Sequence, residues 1–574
     1  MAADVRRLVP RARAVTFDAS LLLWIAAAAV LIFMVVVPLL WLVYTSIQPE
    51  SGRGLTFANY LTVFTQRFYL EPIRNSMILA LSVALIAAAV GTPLAWLVTR
   101  SDMPARGLVR ALTFAAFATP PFLGAQAWIF LAADRSGWLN RFWENLFHTQ
   151  SGPFNIYTLG GAIFVMGLYS IPYTFTFVSG ALEMMSSEME DAAAVLGAGP
   201  WRTALQITLP LAAPAIVSGF IMSFLEGLAL FGVPAFLLIP ARQQVITTQL
   251  YEFFQFPVHV QWAAAYAMPL LTVTILLLVL QRRVLGRRQY TTVTGKGGRR
   301  RPCRLGRGRW PVLGLALIPS MLAILLPYAA LFAVSISRAW GRGPVPGNLT
   351  LHWYRWALID NLETKSAIFH SLGYGAAAAT ISVVIAVLIA YAVLRKLIAG
   401  AQLLGFLCMA PFVVPGIVLA IGFFSAYAHP PILLYGTAGM LIAAFATRFL
   451  PIAYSNSTSI LRGINPELEN AARTLGAGRL RTLSFVTAPL LRRGLLSGWL
   501  LVFIPAIREL SCAVFLFTPH TAVMTTLMFD FSDAGNYEAL STLGIVLMTI
   551  TFAITIIAYR FLGRDFMQSR EAAG

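Results

Sequence analysis

The chain has 574 residues, of which 58% are hydrophobic and only 11% charged, with a formal net charge of +19. A soluble chain of this length carries roughly 25% charged residues, and the mean hydropathy here is +0.75, so a soluble globular fold is excluded. Apolar runs long enough to cross a bilayer recur along the whole length. Such runs predict an all-α polytopic membrane protein, because a closed barrel needs short alternating segments instead.

In chain order, residues 1–19 read as a tail. The apolar run 21–43 is too long for the core of a cleaved leader and is taken as a span. Six spans at about 21–46, 76–99, 108–131, 159–182, 208–231 and 262–281 form a first half, 20–281. A basic linker, 282–309, follows. The segment 281–309 holds eleven Lys or Arg and no acid. A run of this kind can bind nucleic acid, but a linker beside anionic lipid headgroups needs no such partner. The expected contact is the lipid bilayer and no nucleic acid. Six further spans at about 311–336, 371–394, 402–426, 436–461, 487–510 and 541–561 form a second half, 310–562, before a tail at 563–574. Loops on the N-terminal side carry about 30 basic residues and the opposite loops about 10, which predicts cytoplasmic termini.

The halves repeat each other. Asn75-Ser76 corresponds to His370-Ser371, Arg100 to Arg395 and Pro120 to Pro415, each 295 positions apart; Pro172 corresponds to Pro451 and Ser218-Gly219 to Ser497-Gly498, each 279 apart. The change of spacing falls in the outer loops, 132–158 and 427–435. Six spans per half give two halves of the same orientation, unlike inverted-repeat transporters.

The strongest repeat is a polar loop. Residues 190–210 read EDAAAVLGAGPWRTALQITLP and residues 469–489 read ENAARTLGAGRLRTLSFVTAP. Ser187 with Glu190 makes a capping box, and Asn465 with Pro466 makes an N-cap followed by a first-turn proline. The helix ends at Gly197 or Gly476, where glycine permits the turn. A second short helix carries Trp201 and Arg202 in one copy and Leu480 and Arg481 in the other, and Pro210 or Pro489 opens the next span. Small residues at Ala192, Ala193 and Gly197 let a groove approach closely. A single copy reads equally well as an amphipathic loop resting on the bilayer; two matched copies predict two docking points for an external partner.

Catalytic and metal chemistry find no support. Cys303, Cys408 and Cys512 show no metal spacing, the six histidines form no HxxxH or HExxH, and no metal site is expected. The chain has no G-x-x-x-x-G-K-[ST] loop; Gly295-Lys296-Gly297 lacks both the upstream glycine and the following Ser or Thr. No cofactor is expected on this chain and no residue is assigned a catalytic role, so any ATP must be hydrolysed elsewhere.

The loop pattern EAA, three residues, G, nine residues, I-x-L-P resembles the signature of permeases in binding-protein-dependent ABC importers. The first copy departs only in Asp191, keeping Ala192, Ala193, Gly197, Ile207, Leu209 and Pro210. The second keeps Ala471, Ala472, Gly476 and Pro489 and places Asn470, Val486 and Ala488 at the other positions. The resemblance covers nearly the whole chain. YTTVTGKG at 290–297, TRFLP at 447–451 and RELS at 508–511 are similar to the ferric-iron and thiamine permease group. It implies the type I importer permease fold in a bacterial inner membrane, two copies of a cytoplasmic ATPase bearing ATP and Mg, and a periplasmic substrate-binding protein. It also implies that Glu190, Asp191, Ala192, Ala193, Gly197, Trp201 and Pro210, with Glu469, Asn470, Ala471, Ala472, Gly476 and Pro489, form the ATPase-coupling loops. Ferric iron is the expected substrate, with thiamine, an organophosphonate, sulfate or a polyamine as alternatives.

Charges within spans mark pathways or pairs. Glu509 lies at the end of span eleven and Arg448 near the middle of span ten; their first-half counterparts are Leu230 and Tyr169. Both charges occur in one half and neither in the other, which predicts an Arg448–Glu509 pair. Glu226 sits one helical turn before Leu230, on the face Glu509 occupies in the other half. A hard cation favours oxygen ligands, so Glu226 and Glu509, with the adjacent Arg508, are the pathway candidates. An ion-coupled secondary transporter would need midplane acids and broken helices and would leave the repeated loop unexplained; a membrane scaffold for a signalling ATPase is a third reading.

Overall fold

A computed structural model describes residues 20–562 apart from 52–53, 186–187, 287–302, 344 and 399. Both tails, most of the linker with its 290–297 segment, and the Ser187 cap therefore lie outside the described residues. Among the described residues every regular element is helical, and β contacts are limited to two isolated bridges. Among the described residues ten helices are long and apolar enough to cross a membrane, and two bent helix pairs bring the number to twelve if each pair counts as one span.

The first half comprises α1 (Leu23–Ser46), α2 (Arg67–Arg100), α3 (Arg106–Ala118), α4 (Pro121–Ala132), α5 (Leu159–Met184), α6 (Leu209–Ala229) and α7 (Val260–Gly286). The second comprises α8 (Gly306–Ser335), α9 (Leu362–Leu394), α10 (Ala401–Phe412), α11 (Gly416–Tyr427), α12 (Ala438–Arg462), α13 (Ala488–Ala506) and α14 (Tyr537–Leu562). In each half the long second helix is the packing centre. α2 lies against α5 and α6, and α9 lies against α12 and α13. Where α6 meets α5 the backbones nearly touch: a Cβ on Gly219 would sit 2.6 Å from the Thr174 Cα.

Two expected spans, 108–131 and 402–426, are corrected. They turn by 98° between α3 and α4 and by 113° between α10 and α11. Prolines cause the first break directly. Pro120 and Pro121 have no N–H to donate to the carbonyls of Ala116 and Phe117, so the helical ladder stops there. Pro415 occupies the matching break.

The halves are interlocked by their first helices. The later part of α1 packs on α11 of the second half, and the later part of α8 packs on α4 of the first. Each of these helices carries a π-turn, Ile32–Val36 and Met321–Leu325, just before a proline. Pro38 cannot donate to the Met34 carbonyl, nor Pro327 to that of Ala323, and an orphaned carbonyl in an apolar phase demands another donor. That donor comes from the opposite half. The Thr447 hydroxyl shares its proton between the Ala443 carbonyl of its own helix at 2.8 Å and the Met34 carbonyl at 3.2 Å, and the Tyr169 hydroxyl donates to the Ala323 carbonyl at 2.7 Å. Replacing Tyr169 by Phe leaves the Ala323 carbonyl buried without its donor. The expected loss is about 1–3 kcal/mol, read as a lowered unfolding midpoint of the purified protein in detergent.

Candidate functional site

The repeated loop folds the same way twice. Its first helix is Glu188–Val195 in one half and Pro466–Thr474 in the other. In the second copy the Asn465 side chain accepts from the Glu467 amide at 3.0 Å, the expected N-cap. Gly197 and Gly476 then reverse the chain at φ +80° and +88°, in the left-handed region that a side chain resists. The short helices Pro200–Thr203 and Arg479–Thr482 follow, and π-turns at Ala204–Thr208 and Leu483–Thr487 lead into α6 and α13. Those turns precede Pro210 and Pro489, whose missing N–H explains the local widening.

The loop residues divide into two sets. Ala192, Asn470, Ala471, Trp201, Pro210 and Pro489 are exposed, whereas Asp191 and Ala472 are half-buried and Ala193 is buried. Trp201 stacks on Trp96 with ring centroids 6.0 Å apart. Glu190 and Glu469 face their own half. Glu469 accepts from Arg395 Nε and Nη2 at 3.0 and 3.1 Å and from the Thr487 hydroxyl at 3.2 Å; Glu190 accepts from Arg100 Nη1 at 3.2 Å and the Thr208 hydroxyl at 2.7 Å. The two glutamates fasten the loop to its own half. The exposed side of the loop presents Leu196 and Leu475, 87% and 89% exposed. The residue reading passed over these leucines, although the Leu-Gly pair stands at the same place in both copies.

A second site opens between the halves beside the α3–α4 bend. It is a cavity of about 150 Å³ whose polar walls include Tyr169, Ser170, Tyr173 and Glu226 from the first half and Arg508 and Glu509 from the second. The chain stops being helical after α6 and α13, and this break lets Leu230 and Glu509 line the space. Arg508 reaches across to the first half, donating to the Ala118 carbonyl and, at 3.4 Å, to that of Phe117. Phe117 is the very carbonyl that Pro121 leaves without its helical donor. Glu226 and Glu509, the two acids singled out by position, thus share one cavity.

The expected Arg448–Glu509 ion pair is not formed, and the residues are satisfied separately. Arg448 donates to the Val414 carbonyl at 2.8 Å, next to the second helix break, while the Glu509 carboxylate accepts from the Cys512 amide at 3.0 Å. Gly416 is the close neighbour of both: a Cβ there would lie 3.3 Å from the Arg448 guanidinium carbon and 3.4 Å from Glu509 Oε1. Among the described residues no group of three or more His, Cys, Asp or Glu is arranged to hold a metal ion.

Residues 91–289 and 382–568 each match the family described as binding-protein-dependent transport system inner membrane component, and each stretch contains one copy of the loop. The chain is 28% identical over 519 residues to the ferric transport system permease protein FbpB of Actinobacillus pleuropneumoniae, covering 88% of this chain and 73% of that one. It is 29% identical over 477 residues to the putative ferric transport system permease protein FbpB 1 of Haemophilus influenzae, covering 82% and 74%. A shorter relative, the putative 2-aminoethylphosphonate transport system permease protein PhnV of Salmonella paratyphi A, is 26% identical over 258 residues, 45% of this chain and 96% of its own. With two matched domains in one all-helical membrane chain, this protein is a transport subunit rather than an enzyme, and it belongs to the binding-protein-dependent transport system inner membrane components.

Proposed function

We propose that this chain forms the whole transmembrane pathway of an ATP-driven importer for ferric iron. The observation that carries the reading is the span of the match. Relatives named for ferric transport align with both halves in one piece, whereas the aminoethylphosphonate relative aligns with less than half of the chain. In this reading both termini and both repeated loops face the cytoplasm of a bacterium. Two copies of an ATPase subunit, carrying ATP and Mg, dock one on each loop against Leu196 and Leu475. A periplasmic binding protein releases the ion at the opposite face.

The cavity between the halves is then a waypoint on the path. The oxygens of Glu226, Glu509, Tyr169 and Tyr173 suit a hard cation, and the Arg508 guanidinium beside them keeps net attraction low. Weak retention favours passage, since a site must release what it admits. Acids lining a cavity between the helices and broken helices are both present, so these features do not separate an ATP-driven importer from an ion-coupled transporter. The family and the duplicated loop favour the former.

Uptake of radiolabelled ferric ion into proteoliposomes is expected only when the chain, its ATPase, the loaded binding protein and ATP are all supplied. Uptake driven by an ion gradient without the ATPase would overturn the importer reading. ATPase stimulation by a loaded binding protein with no iron flux would keep the importer and remove iron. Gly476→Val forces a branched side chain into the left-handed region at a strain of roughly 1–3 kcal/mol. It is expected to lower ATP-driven uptake severalfold while the membrane-embedded part stays folded, as checked by its unfolding midpoint.

Arg508→Met removes the donor to Phe117 and Ala118 while keeping most of the side-chain volume. It is expected to destabilise the half-to-half contact by about 1–3 kcal/mol, read from thermal unfolding in detergent. Arg508→Lys should recover part of that loss, because one ammonium can still reach one carbonyl.

A further inference from the structure

Each repeated loop is tied to the end of the long second helix of its own half. Arg395, the residue after α9, clasps Glu469 through two of its nitrogens, and the Tyr391 hydroxyl donates to the same carboxylate at 3.3 Å. Arg100, the last residue of α2, clasps Glu190 and also donates to the carbonyls of Leu182 and Met185 at 2.7 and 3.0 Å. The side chains are secluded, 6% and 19% exposed for Arg100 and Glu190 and 17% and 7% for Arg395 and Glu469. A charged pair held by several bonds in such a place is a stiff joint.

A second joint lies toward the opposite end of α2 and α9, nine residues in from the first residue of each helix. The Ser76 hydroxyl oxygen accepts from the Ile246 amide, and that of Ser371 from the Met524 amide, both at 2.7 Å. These amides open the short helices Ile246–Glu252 and Met524–Asp533. The next residue in each reaches the cavity wall. Thr247 donates to the Leu230 carbonyl at 3.3 Å, and Thr525 donates to the Glu509 carbonyl at 2.8 Å. Leu230 and Glu509 both line the cavity.

The chain of contacts is therefore complete in both halves and uses repeat-related positions at every step. It runs from loop glutamate to arginine, along the 24 positions of α2 or α9 that separate that arginine from the serine, and on through the short helix to the cavity. That stretch of helix rises roughly 36 Å, enough to cross the apolar part of a bilayer.

We propose that α2 and α9 are connecting rods: they carry displacement of the ATPase-docking loops to the cavity wall, with Arg100, Arg395, Ser76 and Ser371 as positioning residues at their joints. This rests on the docking reading given above. Conservation of the joints explains a contrast within the repeat. The cavity-lining position differs between halves, Leu230 against Glu509, yet Arg100 and Arg395, Glu190 and Glu469, Ser76 and Ser371, and Thr247 and Thr525 are identical pairs. The bond from each threonine goes to a backbone carbonyl, so the wall side chain can change without loss of the joint.

The test is the full chain with its ATPase in lipid nanodiscs, carrying nitroxide labels at Arg242→Cys and His520→Cys in a Cys303→Ser background. Both labelled positions are exposed at the face opposite the loops. Pulsed electron paramagnetic resonance then reads the distance between the labels with and without Mg-ATP. In the parent the nucleotide changes that distance. In Ser76→Ala with Ser371→Ala, the ATPase still co-purifies and hydrolyses ATP at its basal rate. The fraction of molecules responding to nucleotide falls by about fivefold or more, the lower range of coupling factors between distant sites.

Ser76→Thr with Ser371→Thr keeps both hydroxyls and is expected to restore the response, which a loss of general stability would not. At the other joint, Glu469→Gln is expected to lose the response, and Arg395→Glu combined with Glu469→Arg to regain it. A full nucleotide response in the double alanine variant overturns the connecting rods and leaves the docking reading standing. Failure of the parent chain to retain the ATPase removes the docking reading, and the rods with it.

Discussion

A backbone carbonyl or amide without a partner is costly in the apolar interior of a bilayer, and this protein creates several such groups. Proline does so at Pro38, Pro121 and Pro327, and the repaired sites are where the halves meet. Thr447 serves the carbonyl freed by Pro38, Tyr169 the one freed by Pro327, and Arg508 the one freed by Pro121. All three bonds cross from one half to the other. The prolines that interrupt individual helices thus supply the polar contacts that join the halves, in a setting where hydrophobic burial cannot distinguish a neighbouring helix from lipid.

The same constraint accounts for the position of the cavity. Where α3 gives way to α4 the chain turns by 98°, and where α6 and α13 end it leaves helical geometry. Irregular backbone at this depth is tolerated where it is buried in protein or lines a polar space. Here it does both, with Arg508 capping the α3 end from outside and Glu226, Tyr169 and Tyr173 facing the opening. A polar cavity built this way needs few charged side chains, because the broken helices bring their own dipoles and carbonyls.

Hydropathy and spacing gave the ten to twelve candidate crossings, the two matched halves and the repeated loop, since these are carried by long runs and by matched positions. The bends were not legible as bends. Pro120 and Pro415 were visible as a repeated pair, but an apolar run that turns back looks the same as one that passes straight through. Exchange of the first helices left no mark either, as hydropathy says which residues avoid water and not which helix they meet. Arg448 and Glu509 show a different limit. Their joint presence in one half suggested partners, whereas each completes a separate backbone break on either side of Gly416. The partners of the loop glutamates were not legible for a related reason: Arg100 and Arg395 match each other in the repeat, but nothing in linear spacing brings residue 395 to residue 469.

Duplication has preserved the joints and released the walls. A joint needs both partners to keep their chemistry, so Arg100 with Glu190 and Arg395 with Glu469 remain alike while the spans between them diverge. A wall position carries no such reciprocal constraint, and a single cavity shared by two halves does not require each to supply the same groups. One carboxylate on α6 and one just beyond α13 then face the same space from different helical positions. Glu226 stands one turn before the position that matches Glu509, so the two acids enter the cavity from non-equivalent positions of the repeat, and the halves share one polar space without contributing to it symmetrically.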